Sequence, residues 1–124
     1  MDKRILIVDD EKEICDIILS FILEVMPTVK FDIAGDGVDA FALCKDKRYD
    51  LIITDLKMPI MGGKEFIVAL KTKENMNKET RVMIVSGFIS KDIREGLRNY
   101  GLLMMEKPID QELLTKNVYQ VLSK

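Results

Sequence analysis

Leu51-Ile52-Ile53-Thr54-Asp55 runs four residues without a charge and then ends in a carboxylate. An uninterrupted apolar run of strand length suits a strand covered on both faces. The design recurs on either side of it. Upstream, Ile5-Leu6-Ile7-Val8 ends in Asp9-Asp10. Downstream, Val82-Met83-Ile84-Val85 ends in Ser86, and Leu102-Leu103-Met104-Met105 leads to Lys107-Pro108.

Helical spacing fills the intervals. Ile14, Ile17, Ile18, Phe21, Ile22 and Val25 recur on one predicted helix face, and Pro27 stops that helix. Residues 29–34 alternate in polarity, which predicts a half-exposed strand near a sheet edge. Asp36 or Gly37 opens a second helix carrying Ala40, Phe41 and Cys44 inward. Gly62-Gly63 precede a third with Phe66, Ala69 and Leu70, and the polar stretch 71–80 covers its end and a loop. Ser90 is the expected N-cap of a fourth helix with Ile93, Leu97 and Tyr100, closed by Gly101. Asp110 caps a last helix with Leu114, Val118, Val121 and Leu122.

Five strands alternating with five helices predict an α/β fold, a doubly wound parallel sheet with helices on both faces. Ligands of such sheets bind beyond the carboxyl ends of the strands, where the strand order switches. The acids, Ser86 and Lys107 all fall at such ends, so pattern and topology point to one site.

The chain has 124 residues, the length of one domain, and residues 1–124 are read as such. Its charged fraction is 32%, with both signs interleaved and a net charge of -2, and no basic run predicts nucleic-acid binding. No apolar stretch is long enough to span a membrane, and the N-terminal run is too short for a secretory signal, so a cytoplasmic location is expected. The two cysteines, Cys15 and Cys44, read as core thiols. With no histidine at all, the chain offers no histidine triad, no histidine metal ligand and no phosphohistidine of its own.

The inventory suits phosphoryl transfer to a carboxylate. Asp9, Asp10 and Asp55 can supply hard oxygen ligands to Mg²⁺, with the Lys57 backbone carbonyl completing the set. Clustered carboxylates repel, so one of them should hold a proton more readily than usual. Asp55 would attack in line, while Lys107 and the Ser86 hydroxyl hold phosphoryl oxygens. Each piece alone is commonplace, as a cap or a turn. Four strand ends delivering them together are not.

Over its whole length the chain resembles the receiver domain of two-component response regulators. The matching elements are Val8-Asp9-Asp10-Glu11, Asp55-Leu56-Lys57-Met58-Pro59 continuing to Gly63, then Ser86, and Lys107-Pro108. The resemblance implies a flavodoxin-like fold with strand order 2-1-3-4-5. It implies an Mg²⁺ site at Asp9, Asp10 and Asp55, Asp55 as phosphoacceptor, Ser86 as switch hydroxyl and Lys107 as phosphate-binding lysine. It further implies a sensor histidine kinase or histidine phosphotransfer protein as donor, and a downstream protein target. Monomer and phosphorylation-dependent dimer both remain open, as do a single-domain regulator and a piece of a longer chain.

The chain departs from the family at three places. Gly62 stands where receivers usually carry Asp or Asn, which predicts a more flexible loop after Asp55. Gly87 follows the switch hydroxyl in place of Ala, and Met104 occupies the place of the usual aromatic ring. These departures bear on output rather than on phosphorylation. Two other functions fit part of the pattern. A receiver-like interaction module independent of phosphate is one. The other is an aspartyl-phosphate hydrolase of the haloacid dehalogenase type, but Lys57 stands where that class needs its second acid. The leading expectation is a phosphoacceptor switch, not a turnover enzyme.

Overall fold

The apolar runs around Ile5, Leu51 and Val82 form the three central strands of a five-stranded parallel sheet. A computed structural model describes residues 2–123. The elements are β1 (Arg4–Val8), α1 (Lys12–Val25), β2 (Lys30–Ala34), α2 (Gly37–Asp46), β3 (Leu51–Thr54), α3 (Gly63–Thr72), β4 (Val82–Ser86), α4 (Lys91–Gly96), β5 (Leu103–Glu106) and α5 (Gln111–Leu122). The strand order is β2-β1-β3-β4-β5, that of flavodoxin-like folds. Among the described residues no helix is long and apolar enough to cross a membrane.

Alternate residues of each central strand feed opposite faces, which is why their runs are continuously apolar. Ile5, Ile7, Leu51, Ile53, Met83 and Val85 pack under α1 and α5, with Cys15, Ile18, Ile22, Leu114 and Val118. Leu6, Val8, Ile52, Val82 and Ile84 pack under the other helices, with Ala40, Cys44, Phe66, Ile67 and Leu70. Both cysteines are free and buried; burial pushes the Cys15 thiol up to about 11 and the Cys44 thiol to about 12, so neither is a ready nucleophile. Three helices start on the expected caps. Asp36 accepts from the Asp39 N–H at 2.9 Å, Ser90 from Ile93 at 3.1 Å, and Asp110 from Leu113 at 3.1 Å.

Three expectations need correction. The fourth helix is short: it ends at Gly96, Leu97 leaves helical geometry, and a 3-10 turn (Arg98–Tyr100) leads to Gly101 at φ 65. Glycine disfavours continuation, and Leu97 is the only fully buried side chain the segment offers to hold a longer helix down. The fifth strand lies one residue later than predicted, because its pairing with β4 sets Met83 opposite Leu103 and Ser86 opposite Glu106. Ile17 and Val25 are half exposed, since they lie on the flank of α1 rather than its buried stripe. Gly62 sits at φ -77 and ψ 175, extended backbone that any residue adopts, but a Cβ there would come within 2.9 Å of the Leu56 carbonyl oxygen.

The end of the sheet away from the carboxyl edge is tied by polar groups. Asn77, fully buried, joins the α2 end, the start of β3 and the turn before β4 through its side-chain amide. At the β2 edge, Asp32 accepts from the Tyr49 hydroxyl at 2.7 Å and pairs with Lys47 and Arg4 at 3.3 and 3.6 Å. Burial alone would raise the Asp32 carboxyl, but the Tyr49 and Lys47 hydrogen bonds and the Lys47 and Arg4 charges outweigh it and hold it below the usual range. With the folded-state value below the unfolded one, this contribution is present above the ordinary carboxylate range and fades as pH falls through the lowered value. Asp32→Asn is therefore expected to lose about 1 kcal/mol of stability at neutral pH. Urea titrations should show the gap to the parent closing in acid; a gap that is constant with pH would contradict the ion-pair account.

Candidate functional site

Backbone pairing carries the strand ends into the site. The Asp9 N–H donates to the Ala34 carbonyl at 3.0 Å, Asp55 to Val8 at 2.9 Å, and Lys107 to Ser86 at 2.7 Å. Each ladder thus continues one residue past its strand and fixes the next side chain on rigid backbone. Gly63 adds a constraint from α3: its N–H donates to the Leu56 carbonyl at 2.9 Å, and a Cβ there would overlap the Asp55 carbonyl. The close approach explains glycine at 63 by space, not by backbone angles. The loop between them holds Ile60 at φ 70 with its side chain in solvent.

Asp9, Asp10 and Asp55 bring carboxylate oxygens within 4.8 Å of one another. Asp9 and Asp55 are buried and Asp10 is exposed. Lys107 Nζ reaches between the buried pair, 3.1 Å from Asp9 Oδ2 and 3.2 Å from Asp55 Oδ2. The remaining oxygens accept backbone N–H groups: Asp9 Oδ1 from Glu11 at 2.9 Å and Asp55 Oδ1 from Leu56 at 2.7 Å. Burial, with repulsion from Asp55, raises the Asp9 carboxyl, although the Glu11 N–H and Lys107 oppose it. Burial pulls the Lys107 ammonium down, but the Asp9 hydrogen bond and the two carboxylate charges more than offset it, and it stays protonated.

A cleft of about 430 Å3 opens over these groups, lined by Asp10, Asp55, Lys57, Ser86, Phe88 and Lys107 among others. Asp9 lies beneath and does not line it. The Ser86 hydroxyl makes no hydrogen bond to another described residue, which leaves it available to a ligand in the cleft. The Lys107-Pro108 bond is cis. Asp10, Asp55, Lys57, Ser86 and Lys107, expected from sequence at strand ends, thus line one cleft, and Asp9 joins Asp10 and Asp55 in the acidic cluster at its edge. Three oxygen-bearing acids beside an ammonium are a hard donor set that fits a small divalent cation and an oxyanion together.

Sequence reading missed a clamp beside this cleft. Glu106 accepts from the Ile89 N–H at 2.8 Å and pairs with Arg94 at 3.9 Å. Arg94 also donates to the Ile89 carbonyl at 3.3 Å and lies 3.8 Å from the Met104 sulfur. Glu106 thereby ties the segment after Ser86 to β5. No periodicity announces it; the one available hint is an acid at the end of an otherwise apolar strand.

Fold and cleft together define a doubly wound α/β protein with an acidic site at its carboxyl edge. Residues 5–119 match the response regulator receiver domain family, and the chain belongs to it. It is 31% identical over 108 residues to a response regulator receiver protein of Anaeromyxobacter sp., covering 86% of this chain and 43% of that protein. The chain thus spans less than half of that relative. The fold superposes with a TM-score of 0.85 on a CheY-like receiver domain protein of Methanospirillum hungatei, 25% identical, covering 99% of this chain and 95% of that one. It also superposes, with a TM-score of 0.83 and 19% identity over the full length of both chains, on the receiver domain of a Pseudomonas aeruginosa sensor histidine kinase whose active-site cleft coordinates magnesium. Receiver domains are signalling switches of two-component systems.

Proposed function

We propose that this chain is a phosphoacceptor switch that takes a phosphoryl group from a partner's phosphohistidine onto Asp55. The observation that carries the reading is Lys107 Nζ bridging Asp9 and Asp55 at 3.1 and 3.2 Å in a cleft also lined by the Ser86 hydroxyl, which has no hydrogen-bond partner among the described residues. An Asp55 carboxylate oxygen attacks phosphorus as the bond from phosphorus to the donor imidazole nitrogen breaks, and that nitrogen keeps the electron pair. Lys107 leaves Asp55 for a phosphoryl oxygen while remaining close to Asp9. Ser86 donates its hydroxyl proton in a hydrogen bond to another phosphoryl oxygen. Asp9, Asp10, Asp55 and the Lys57 carbonyl are the ligands assigned to Mg²⁺, which when bound supplies positive charge to the transferring group.

The donor assigned is a sensor histidine kinase or a histidine phosphotransfer protein, acting on a chain without histidine. Output goes to a downstream protein, and nothing in the charge pattern suggests direct nucleic-acid binding. Met104 is partly buried against the α2–α3 core and lacks a ring, so its two positions should differ little in energy and the surface response should be graded.

The test is intact-mass measurement after incubation with acetyl phosphate, with and without Mg²⁺. A switch gains one phosphoryl group in an Mg²⁺-dependent manner and holds it. Release of phosphate over many turnovers would favour a hydrolase, and no labelling would favour a phosphate-independent interaction module.

The acyl phosphate is expected to be long-lived. Lys57 and Phe88 both border the cleft from which a hydrolytic water must approach. The lysine can pair with phosphoryl oxygens and the ring can exclude water. Lys57→Asn and Phe88→Ala should each speed phosphate loss about threefold or more, less than 1 kcal/mol of barrier at the threshold. If neither variant loses phosphate faster, the shielding account fails.

A further inference from the structure

A second cavity lies at the opposite end of the sheet, where β4 and β5 begin. It measures about 340 Å3 and is bordered by Lys71, Lys78, Arg81, Asn99 and Tyr100, with Glu79 the one acid in its lining. Its volume corresponds to roughly ten waters.

The charges around it are not balanced. The Lys71 ammonium is half buried and donates to the Lys78 and Thr80 carbonyls at 3.1 and 2.7 Å. Among the described residues it has no carboxylate within 4.0 Å. Two carbonyl dipoles solvate the cation without neutralising it, and one of its three N–H donors remains. Burial pulls it below the usual lysine range; Glu79 opposes this and Arg81 adds repulsion. The Arg81 guanidinium has neither an ion pair nor a hydrogen bond to another described residue. Lys78 is held by Glu74 at 3.1 Å on the open surface. Two cations that repel each other, one of them partly desolvated, therefore face a cavity that an anion could fill.

We propose that this cavity binds the phosphate group of a small anion, held between Lys71, Arg81 and Asn99. The remaining Lys71 donor, the planar Arg81 fork and the Asn99 amide offer donors of differing direction, as a tetrahedral oxyanion needs. A carboxylate has only two oxygens to share among them. The space left beside Tyr100 would take an organic substituent, so the free ion and a phosphate ester are the two sources of this chemistry. The site shares no residue with the Asp55 cleft and does not depend on phosphorylation there.

The test is amide chemical-shift titration of the whole chain with inorganic phosphate and, separately, with adenosine monophosphate, against chloride at matched ionic strength. Saturable shifts are expected at Lys71, Thr80, Arg81 and Gly101. Added shifts at Tyr100 and tighter binding of the nucleotide would identify an ester, whereas equal affinity would identify the free ion. Arg81→Ala should weaken binding at least tenfold. Lys71→Met should do the same but also loosens the turn it holds, so Arg81→Ala and Asn99→Ala, both at exposed positions, carry the test. Shifts no larger than those with chloride, shifts confined to the Asp9, Asp55 and Ser86 end, or unaltered affinity in Arg81→Ala would overturn the proposal.

Discussion

Asp55→Asn is expected to abolish phosphoryl uptake from acetyl phosphate while leaving the fold intact. Three acids cluster at the cleft, so the choice of acceptor needs an argument. Asp9 is buried beneath the cleft floor, with one oxygen on the Glu11 N–H and the other on Lys107. Asp10 is exposed, and an exposed carboxylate lacks the fixed donors that would stabilise a transferring group. Asp55 alone is both buried on rigid backbone and part of the lining shared with Ser86 and Lys107. Asparagine preserves its shape and can still accept from the Leu56 N–H, but its amide is not a nucleophile. The rate should fall by roughly 10³-fold or more, about 4 kcal/mol on the barrier. Lys107 keeps Asp9 as a partner, so the variant should remain folded, which circular dichroism would verify. Equal mass gain in Asp55→Asn and the parent would remove Asp55 as the acceptor.

How much of this was legible in the sequence depended on whether a residue's reason lay near it in the chain. The strand at 51–54 could be read because a parallel strand buried on both faces must be apolar at every position. Its terminal Asp55 could be read because such sheets place ligands at strand ends, and the same rule located Asp9, Ser86 and Lys107. The caps Asp36, Ser90 and Asp110 act within three residues and were equally readable. The α4 segment was not, because spacing at Ile93, Leu97 and Tyr100 looks alike for a full helix and for a short helix followed by a 3-10 turn. The one-residue offset of β5 was set by pairing with β4, which sequence does not reveal. Gly63 was placed before a helix, but its packing against the Asp55 carbonyl needs the returning chain. Glu106 looks like a charge ending an edge strand until Ile89 and Arg94 arrive beside it.

Asn77 is the extreme of that second kind, and its removal is expected to cost more stability than any other single polar change. In sequence it sits in a polar stretch that reads as loop. In the fold it has no exposed surface. Its Nδ2 donates to the Cys44 and Lys47 carbonyls, both at 2.7 Å. Its Oδ1 accepts from the Tyr49 N–H at 2.7 Å and the Thr80 hydroxyl at 3.0 Å. Two donors and two lone pairs are all an amide offers, so its capacity is full. Asn77→Ala strands these partners without water, at a combined cost of about 3–4 kcal/mol, a large share of a domain's stability. Asn77→Asp keeps the shape and both acceptor contacts, yet sets a carboxylate against two carbonyls. In the folded chain that carboxyl would be held above its ordinary value, so its protonated form is the better tolerated. The Asn77→Asp deficit should therefore widen as pH rises through the carboxylate range, while the Asn77→Ala deficit stays flat. Urea midpoints across that range separate the two. A loss below about 1 kcal/mol in Asn77→Ala would mean that water replaces the amide at little cost and that the junction is not what holds this end of the sheet.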